Sequence, residues 1–223
     1  MEKRKIIFGG YDTATHGWTL AGWQLGAAEP KTSYIEKVCG DGSWDLSTAL
    51  TDGIPRYRDR PLTVTLELSE GDRQSREREI RAMINTLHGK RVNIHLPDDT
   101  AYHLSGRLNI TKDYNDLAHA AVTVSAVCDP WKYANVVRAY APTAASSTLR
   151  TVNISNNGYR AVVPVIEVTG TDASVQITYG TATRAFSVGT YQWPDLVLLP
   201  GSNTLKYQGS GSIKFTFEEA VLE

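Results

Sequence analysis

Residues 62–89 read LTVTLELSEGDRQSREREIRAMINTLHG, and the spacing of their apolar residues changes partway along. From 62 to 68 every second residue is leucine or valine, the period of a strand with one buried face. Asp72 suits the N-cap of a helix and Gly89 its C-terminal stop. Between them the apolar residues recur at spacings of three, four and seven, which places them on one helical stripe; they are Ile80, Met83, Ile84 and Leu87.

The other side of this helix is charged. Its residues are Arg73, Arg76, Glu77, Arg78, Glu79 and Arg81. Arginine and glutamate four residues apart form weak pairs on a solvated helix face. Acidic residues among the arginines also argue against a phosphate-binding surface. We therefore predict that this whole face is exposed to solvent.

Strand patterns lie on both sides of the helix. Residues 33–38 precede it, and residues 92–96 and 102–110 form a hairpin across the turn residues 97–100. An alternating strand, 117–128, follows. This order predicts an α+β domain in which one amphipathic helix covers an antiparallel sheet.

The hexapeptide CDPWKY, residues 128–133, closes the last of these strands. Pro130 has no N–H to donate and should end the ladder, while Trp131 and Tyr133 offer apolar surface that can wedge between two domains. The tract that follows is rich in Ala, Ser and Thr, a composition typical of a connection. The domain boundaries predicted in this way are 1–133, a linker of 134–150, and 151–223.

The last part of the chain shows short strand patterns between turns and no helical period. These patterns cover 162–168, 174–179, 184–188, 196–199, 203–207 and 212–217. They predict a small β-sandwich. The chain as a whole is therefore expected to be mainly β, with one helix in its first domain.

Composition limits the classes of function. Of 223 residues, 41% are hydrophobic and 21% charged, as in ordinary globular proteins. A net charge of -1 gives no overall attraction to nucleic acid, so specific nucleic-acid binding is not expected. The N-terminus lacks the apolar run of a secretory signal and no membrane-spanning run occurs, so we expect folding in a cytoplasm and no membrane insertion. Cys39 and Cys128 each end an apolar segment and are expected to be small buried side chains rather than a disulfide.

Motifs for catalysis, metal binding or a cofactor are not found in the sequence. The five histidines are scattered, and His95 and His103, which flank one turn, are expected to face opposite sides of their hairpin. Phosphate loops and nucleophile elbows are absent from the sequence. We therefore expect no catalytic, cofactor or metal residues.

Five short motifs, in this order, resemble one protein family. They are GDGSWDLS at 40–47, YRDRPL at 57–62, NTLHGK at 85–90, YHLSGR at 102–107 and CDPWKY at 128–133. Together they resemble the distal tail proteins (Dit) of long-tailed, non-contractile bacteriophages and their prophages. Trp131 stands where that family usually has tyrosine, a conservative departure.

The resemblance implies a structural protein of the virion tail tip, made in the bacterial host. Proteins of this family form a hexameric ring whose N-terminal domains surround a channel for DNA ejection. Their C-terminal domains, similar to galectins or carbohydrate-binding modules, project outward. The implied partners are further copies of the chain, the tail tube protein, the tail-tip or tail-associated lysin protein, and a receptor-binding protein. No enzymatic activity is implied.

Two alternatives stay open at this stage. In one, the C-terminal sandwich is a module that binds cell-wall carbohydrate through Tyr179, Tyr191, Trp193 or Tyr207, because aromatic faces suit sugar rings. The same four residues equally suit the core of a small sandwich. In the other alternative the chain is a wall-degrading enzyme, for which the sequence offers only isolated carboxylates.

Overall fold

A computed structural model describes residues 4–51 and 53–223 of the chain. The chain divides into two compact units, with the division between Lys132 and Tyr133. The first unit also takes in Leu222, and the second comprises Tyr133–Val221 and Glu223. Within the described residues, no helix is both long and apolar enough to cross a membrane.

The first unit is built on an antiparallel sheet. Its strands are β1 (Ile7–Phe8), β2 (Tyr11–Asp12), β3 (Thr19–Leu25), β6 (Arg60–Leu68), β7 (Arg91–His95), β8 (Tyr102–Asn115) and β9 (Ala120–Ala134). Neighbours in the sheet follow the order β2-β1-β7-β8-β9-β6-β3, and a short 3₁₀ helix, Ala14–His16, follows β2. Two further strands, β4 (Tyr34–Glu36) and β5 (Ser43–Asp45), pair with each other as a separate sheet. The predicted hairpin is confirmed, since β7 pairs with β8.

Helix α1 (Arg73–Leu87) packs against the sheet. It begins as expected, because the Asp72 carboxylate accepts a hydrogen bond from the backbone N–H of Ser75 at 2.8 Å. It ends at Leu87, two residues before Gly89, whose φ of 76° suits a residue without a side chain. Ile80, Met83 and Leu87 are buried together with the inward residues of β6 and β9, whereas Ile84 is only half-buried at the margin of this core.

Arg76 does not belong to the solvated face of the helix, and that part of the prediction is wrong. Its side chain is 2% exposed and lies on the same stripe as Ile80. The guanidinium donates to the backbone carbonyls of Gly71 and Asp116, the latter at 2.9 Å. Burial is tolerated because a fork of N–H donors can satisfy several carbonyls at once. Arg76 thus ties the start of α1 to the loop between β8 and β9.

The second unit contains a six-stranded antiparallel sheet. Its strands are β10 (Arg138–Tyr140), β11 (Arg150–Asn156), β12 (Val165–Tyr179), β13 (Ala182–Ser187), β14 (Gly189–Gln192) and β15 (Gly201–Phe217). A two-residue strand, β16 (Ala220–Val221), follows. Patterns predicted as separate strands are continuous: 162–168 and 174–179 contribute to β12, and 203–207 and 212–217 to β15.

The two long strands bend, so the sheet folds over on itself. The β12–β15 register shifts between Thr169 and Ser174, and opposite this shift Gly211 (φ 95°) leaves no space for a side chain. The first half of β12 pairs with β14 and its second half with β13. The first half of β15 pairs with β11 and its last residues with β10. Buried residues from both halves, such as Phe215 and Leu205, share one core. The mainly β fold class is therefore confirmed.

Part of the expected linker lies in this sheet. Within residues 134–150, β10 pairs with the end of β15, and the Tyr140 ring stacks on that of Phe217 at 6.0 Å. Ala145 forms a bridge with Gly211. Small side chains made this tract look like a connection, but its one large aromatic residue anchors it to the second core. The boundaries 1–133 and 151–223 otherwise stay a prediction.

Pro130 does not end its strand, which corrects a second expectation. β9 continues to Ala134. Its pairing with β6 already stops at Arg60 and Cys128, two residues earlier. The missing N–H of Pro130 therefore removes no hydrogen bond to β6.

Candidate functional site

An arm leaves the first unit between β3 and β6. We define the arm as residues 29–58. At its base the two chain segments are held by hydrogen bonds from Lys31 N–H to the Arg56 carbonyl at 2.7 Å and from Arg58 N–H to the Glu29 carbonyl at 2.8 Å. Farther out it consists of the β4–β5 hairpin, followed by a series of tight turns.

The arm exposes large apolar side chains. They are Tyr34, Ile35, Val38, Trp44, Leu46, Leu50 and Ile54. Val38 is 98% exposed and Leu50 99%. A hairpin of two strands is marginal on its own in water, and a patch of exposed apolar residues marks an interaction site. The arm is therefore suited to packing against another protein surface.

Sequence reasoning did not find the arm. Residues 33–38 were interpreted as an ordinary strand, and strand formation is correct for 34–36. Cys39, expected to be buried, is exposed near the tip of this hairpin, whereas Cys128 is buried as predicted. Apolar composition predicts burial but does not say against which molecule. The dense Gly, Asp and Ser turns at 40–47 were the available signal that this region stands apart.

Trp131 contacts the base of the arm. Its ring meets that of Tyr57 edge to face, with centroids 5.5 Å apart and an interplanar angle of 84°. Tyr57 is itself bridged to Pro30 across the arm. Tyr133 lies in the second unit, where its hydroxyl accepts a hydrogen bond from Arg160 at 3.1 Å. A role of Pro130, Trp131 and Tyr133 in orienting the two units stays a prediction.

The four aromatic residues proposed for glycan contact are part of the second unit's core. Trp193 and Tyr207 are each 2% exposed, and Tyr179 and Tyr191 are partly buried against the same core. The Tyr207 hydroxyl donates to the carbonyl of Thr143 at 2.9 Å and that of Tyr179 to the carbonyl of Val197 at 2.7 Å. Their burial favours the core interpretation over a carbohydrate platform.

His95 and His103 lie side by side, so the expectation of opposite faces is wrong. Ile94 pairs with Leu104, and this register places the two histidines on one face with ring centroids 5.6 Å apart. Burial and the neighbouring imidazole lower the pKa of His95. Among the described residues, no group of three or more His, Cys, Asp or Glu side chains is arranged to hold a metal ion.

A polar network joins the N-terminal strands to α1, and sequence reasoning missed it. Glu79 accepts hydrogen bonds from the Tyr11 hydroxyl and from His16 Nδ1, both at 2.9 Å. Trp18 donates to the Tyr11 hydroxyl at 3.1 Å, and the Tyr11 and His16 rings stack at 4.0 Å. Burial and the bond to Glu79 raise the pKa of Tyr11 well above its usual range. The network holds β2 and the 3₁₀ helix against the surface of α1.

Comparison with solved structures finds the same fold. The chain aligns with SPP1 Dit (gp 19.1), described as a paradigm of the hub adsorption apparatus in phages that infect Gram-positive bacteria. The TM-score is 0.67 at 17% identity, over 97% of this chain and 98% of that one. A chain of the phage P2 baseplate in its activated conformation with Ca aligns with a TM-score of 0.52 at 7% identity, over 98% of each chain. No family model matches the sequence, and no curated protein matches it.

Proposed function

We propose that this chain is the structural hub of a phage tail tip. In this role six copies close into a ring that joins the tail tube to the tail-tip and receptor-binding proteins and leaves a channel for DNA. The observation that carries the proposal is the likeness to SPP1 Dit along nearly the whole of both chains. The alignment covers both units, so the likeness in fold that supports the proposal is not confined to one of them. The five motifs in the first unit support the same assignment.

The arm supports assembly from copies of one chain. A closed ring requires a heterologous interface, in which two different patches of the same subunit meet. The arm supplies one such patch, with Val38, Trp44 and Leu50 exposed. Each leucine-sized side chain buried in this contact contributes about 1.5 to 3 kcal/mol.

One face of the first sheet suits a channel that passes DNA. Side chains directed away from the core include Thr63 and Thr65 on β6 and Thr123 and Ser125 on β9, all partly or fully exposed. Residues 61–68 and 120–128 contain no lysine or arginine. These two strand segments offer hydroxyl groups and no cation, so they do not retain phosphate during passage.

Light scattering and imaging test the proposal. Purified protein should give a mass six times the subunit's 24.5 kDa over a range of concentrations, and negative-stain images should show rings with a central hole. A mass that stays at one subunit, both alone and with tail tube protein added, contradicts the proposal.

Two matched variants test whether assembly depends on the arm rather than on exposed apolar residues elsewhere. Leu50→Glu places a charge at an arm residue that is 99% exposed, and Leu117→Glu makes the same change at a residue 91% exposed outside the arm. We expect Leu50→Glu to shift the protein from rings to single subunits, because a buried unpaired carboxylate opposes the contact. Leu117→Glu should assemble as the unsubstituted chain does. Equal effects of the two changes would refute the arm's role.

A further inference from the structure

We propose that Tyr57 and Trp131 form a joint that sets the direction of the arm, and that capture of the arm by a second copy of the chain depends on this joint. The inference rests on the proposed function for its consequence in assembly. The joint itself is a property of the single chain. It gives Trp131 a positioning role within the first unit, distinct from the predicted wedge between domains.

Trp131 is held on a fixed support. On one side of it, the Asp129 carboxylate forms an ion pair with Arg91 on β7. On the other side, the Lys132 ammonium lies 3.0 Å from the Asp99 carboxylate in the β7–β8 turn, and both of these side chains are largely buried. These two ties hold the backbone on either side of Trp131, so its side chain leaves the sheet from a fixed position. The indole ring is therefore a firm surface presented by the sheet.

Tyr57 transmits that support to the arm. It lies in the returning segment of the arm base, between the residues that carry the two base hydrogen bonds. Its bridge to Pro30 joins it to the outgoing segment as well. The edge-to-face contact of the two rings therefore fixes both segments at once. Beyond this point β4 and β5 pair only with each other among the described residues, so the direction of the hairpin follows that of the base.

The contact geometry sets the size of the effect. An edge-to-face pair of this kind changes an equilibrium constant by about 2- to 12-fold. Without the pair the arm samples more directions, and the fraction that points at a neighbouring copy falls. Assembly becomes weaker for this reason alone, because the apparent affinity between copies is proportional to the fraction of chains whose arm points in the direction needed for binding.

A spin label at Cys39 reports the arm's direction. Cys39 is exposed on the arm and Cys128 is buried, so the native chain carries one accessible thiol. A second label at Thr63→Cys, on the exposed side of β6, provides the reference on the sheet. Labelled chains are diluted with unlabelled chains so that the distances measured lie within one subunit. We expect a narrow distance distribution in the otherwise unsubstituted chain.

Substitutions of Trp131 and Tyr57 test whether the contact between their rings sets the direction of the arm. Trp131→Ala and Tyr57→Ala should both broaden the distribution and weaken assembly by about 2- to 12-fold per contact. Tyr57→Phe keeps the ring and should leave both measurements unchanged. Trp131→Phe retains an aromatic ring, so its distance distribution and its assembly should be close to those of the unsubstituted chain. Tyr57→Ala also guards against a folding defect, since Tyr57 lies outside the buried core.

The outcomes distinguish the joint from the proposed function. Unchanged distributions in Trp131→Ala and Tyr57→Ala overturn the joint, whatever the state of assembly. Broadened distributions with unchanged assembly overturn its control of arm capture. A chain that forms no ring, yet shows broadening in both alanine variants and none in Tyr57→Phe, keeps the joint and removes the proposed function.

Discussion

Replacing Arg76 by methionine should destabilise the first unit more than any exposed charge substitution on α1. Methionine is similar in length and keeps the apolar contacts of the side-chain stem, so the change isolates the guanidinium. The bonds lost include the two shortest, to the carbonyls of Gly71 and Asp116, which set the estimate; two longer ones go to the Leu117 carbonyl at 3.2 Å and the Asn115 side-chain oxygen at 3.4 Å. Hydrogen bonds from a charged group contribute about 1.5 to 3 kcal/mol each, which gives about 3 to 6 kcal/mol. Because both carbonyls belong to exposed residues and can regain water, we expect the lower end, about 3 kcal/mol.

Amide hydrogen exchange measured on peptides covering 73–87 is the suitable assay, because it reports the helix separately from the second unit. Arg81→Met is the matched control: its side chain is 73% exposed and its nitrogen lies 3.6 Å from the Glu77 carboxylate. This exposed pair should contribute less than about 0.5 kcal/mol. A loss of protection below about 1 kcal/mol for Arg76→Met, or equal losses for both variants, would refute a structural role for the buried guanidinium.

Three further results are expected. Burial raises the pKa of the Cys128 thiol to about 11, so at pH 8 a thiol reagent should modify Cys39 alone in the native protein and both cysteines in denaturant; two fast equivalents would show that Cys128 is accessible. A hydrogen bond from Lys5 holds the pKa of Asp12 below its usual value of 3.8, so the stability that the carboxylate contributes is complete above pH 3.8 and is lost as pH falls through the lower, folded-state pKa. The unfolding temperature of Asp12→Asn should therefore fall less in acid than that of the unsubstituted chain. Parallel curves of unfolding temperature against pH would contradict this. Gly211→Ala brings a methyl group within 2.4 Å of the Ala173 side chain at a φ of 95° and should destabilise the second unit by about 3 kcal/mol or more, whereas Gly180→Ala, with open space around it, should cost about 1 kcal/mol; equal unfolding midpoints in urea would exclude close packing at the bend.

Local periodicity predicted the elements whose contacts are made by residues close to them in the sequence. The helix, its Asp72 cap and the β7–β8 hairpin follow from residue spacing and turn chemistry. Arg76 was assigned to the wrong face because a charged residue counts as polar in any periodic pattern, although its position relative to Ile80 fits the buried stripe. Its burial is favourable because it bonds the carbonyl of nearby Gly71 and carbonyls of the distant β8–β9 loop, and residue spacing carries no information about the distant ones.

The arm shows the complementary difficulty. Val38 and Leu50 count as core residues in a hydrophobicity pattern, yet both are almost fully exposed. The aromatic residues of the second unit are the opposite case, since Trp193 suited a binding surface by type and lies in the core. In both cases residue type gives the strength of a contact, and the fold decides which surface makes it.

The central position of β15 has a consequence for biosynthesis. This strand pairs with β10, β11 and β12, and its last residue, Phe217, is the partner of Arg138. A growing chain therefore releases β10 to β14 from the ribosome before the strand that joins them exists. The β7–β8 hairpin, by contrast, can close as soon as it is made. The second unit therefore completes folding only after β15 has been synthesised, and until then its apolar strands are exposed to aggregation.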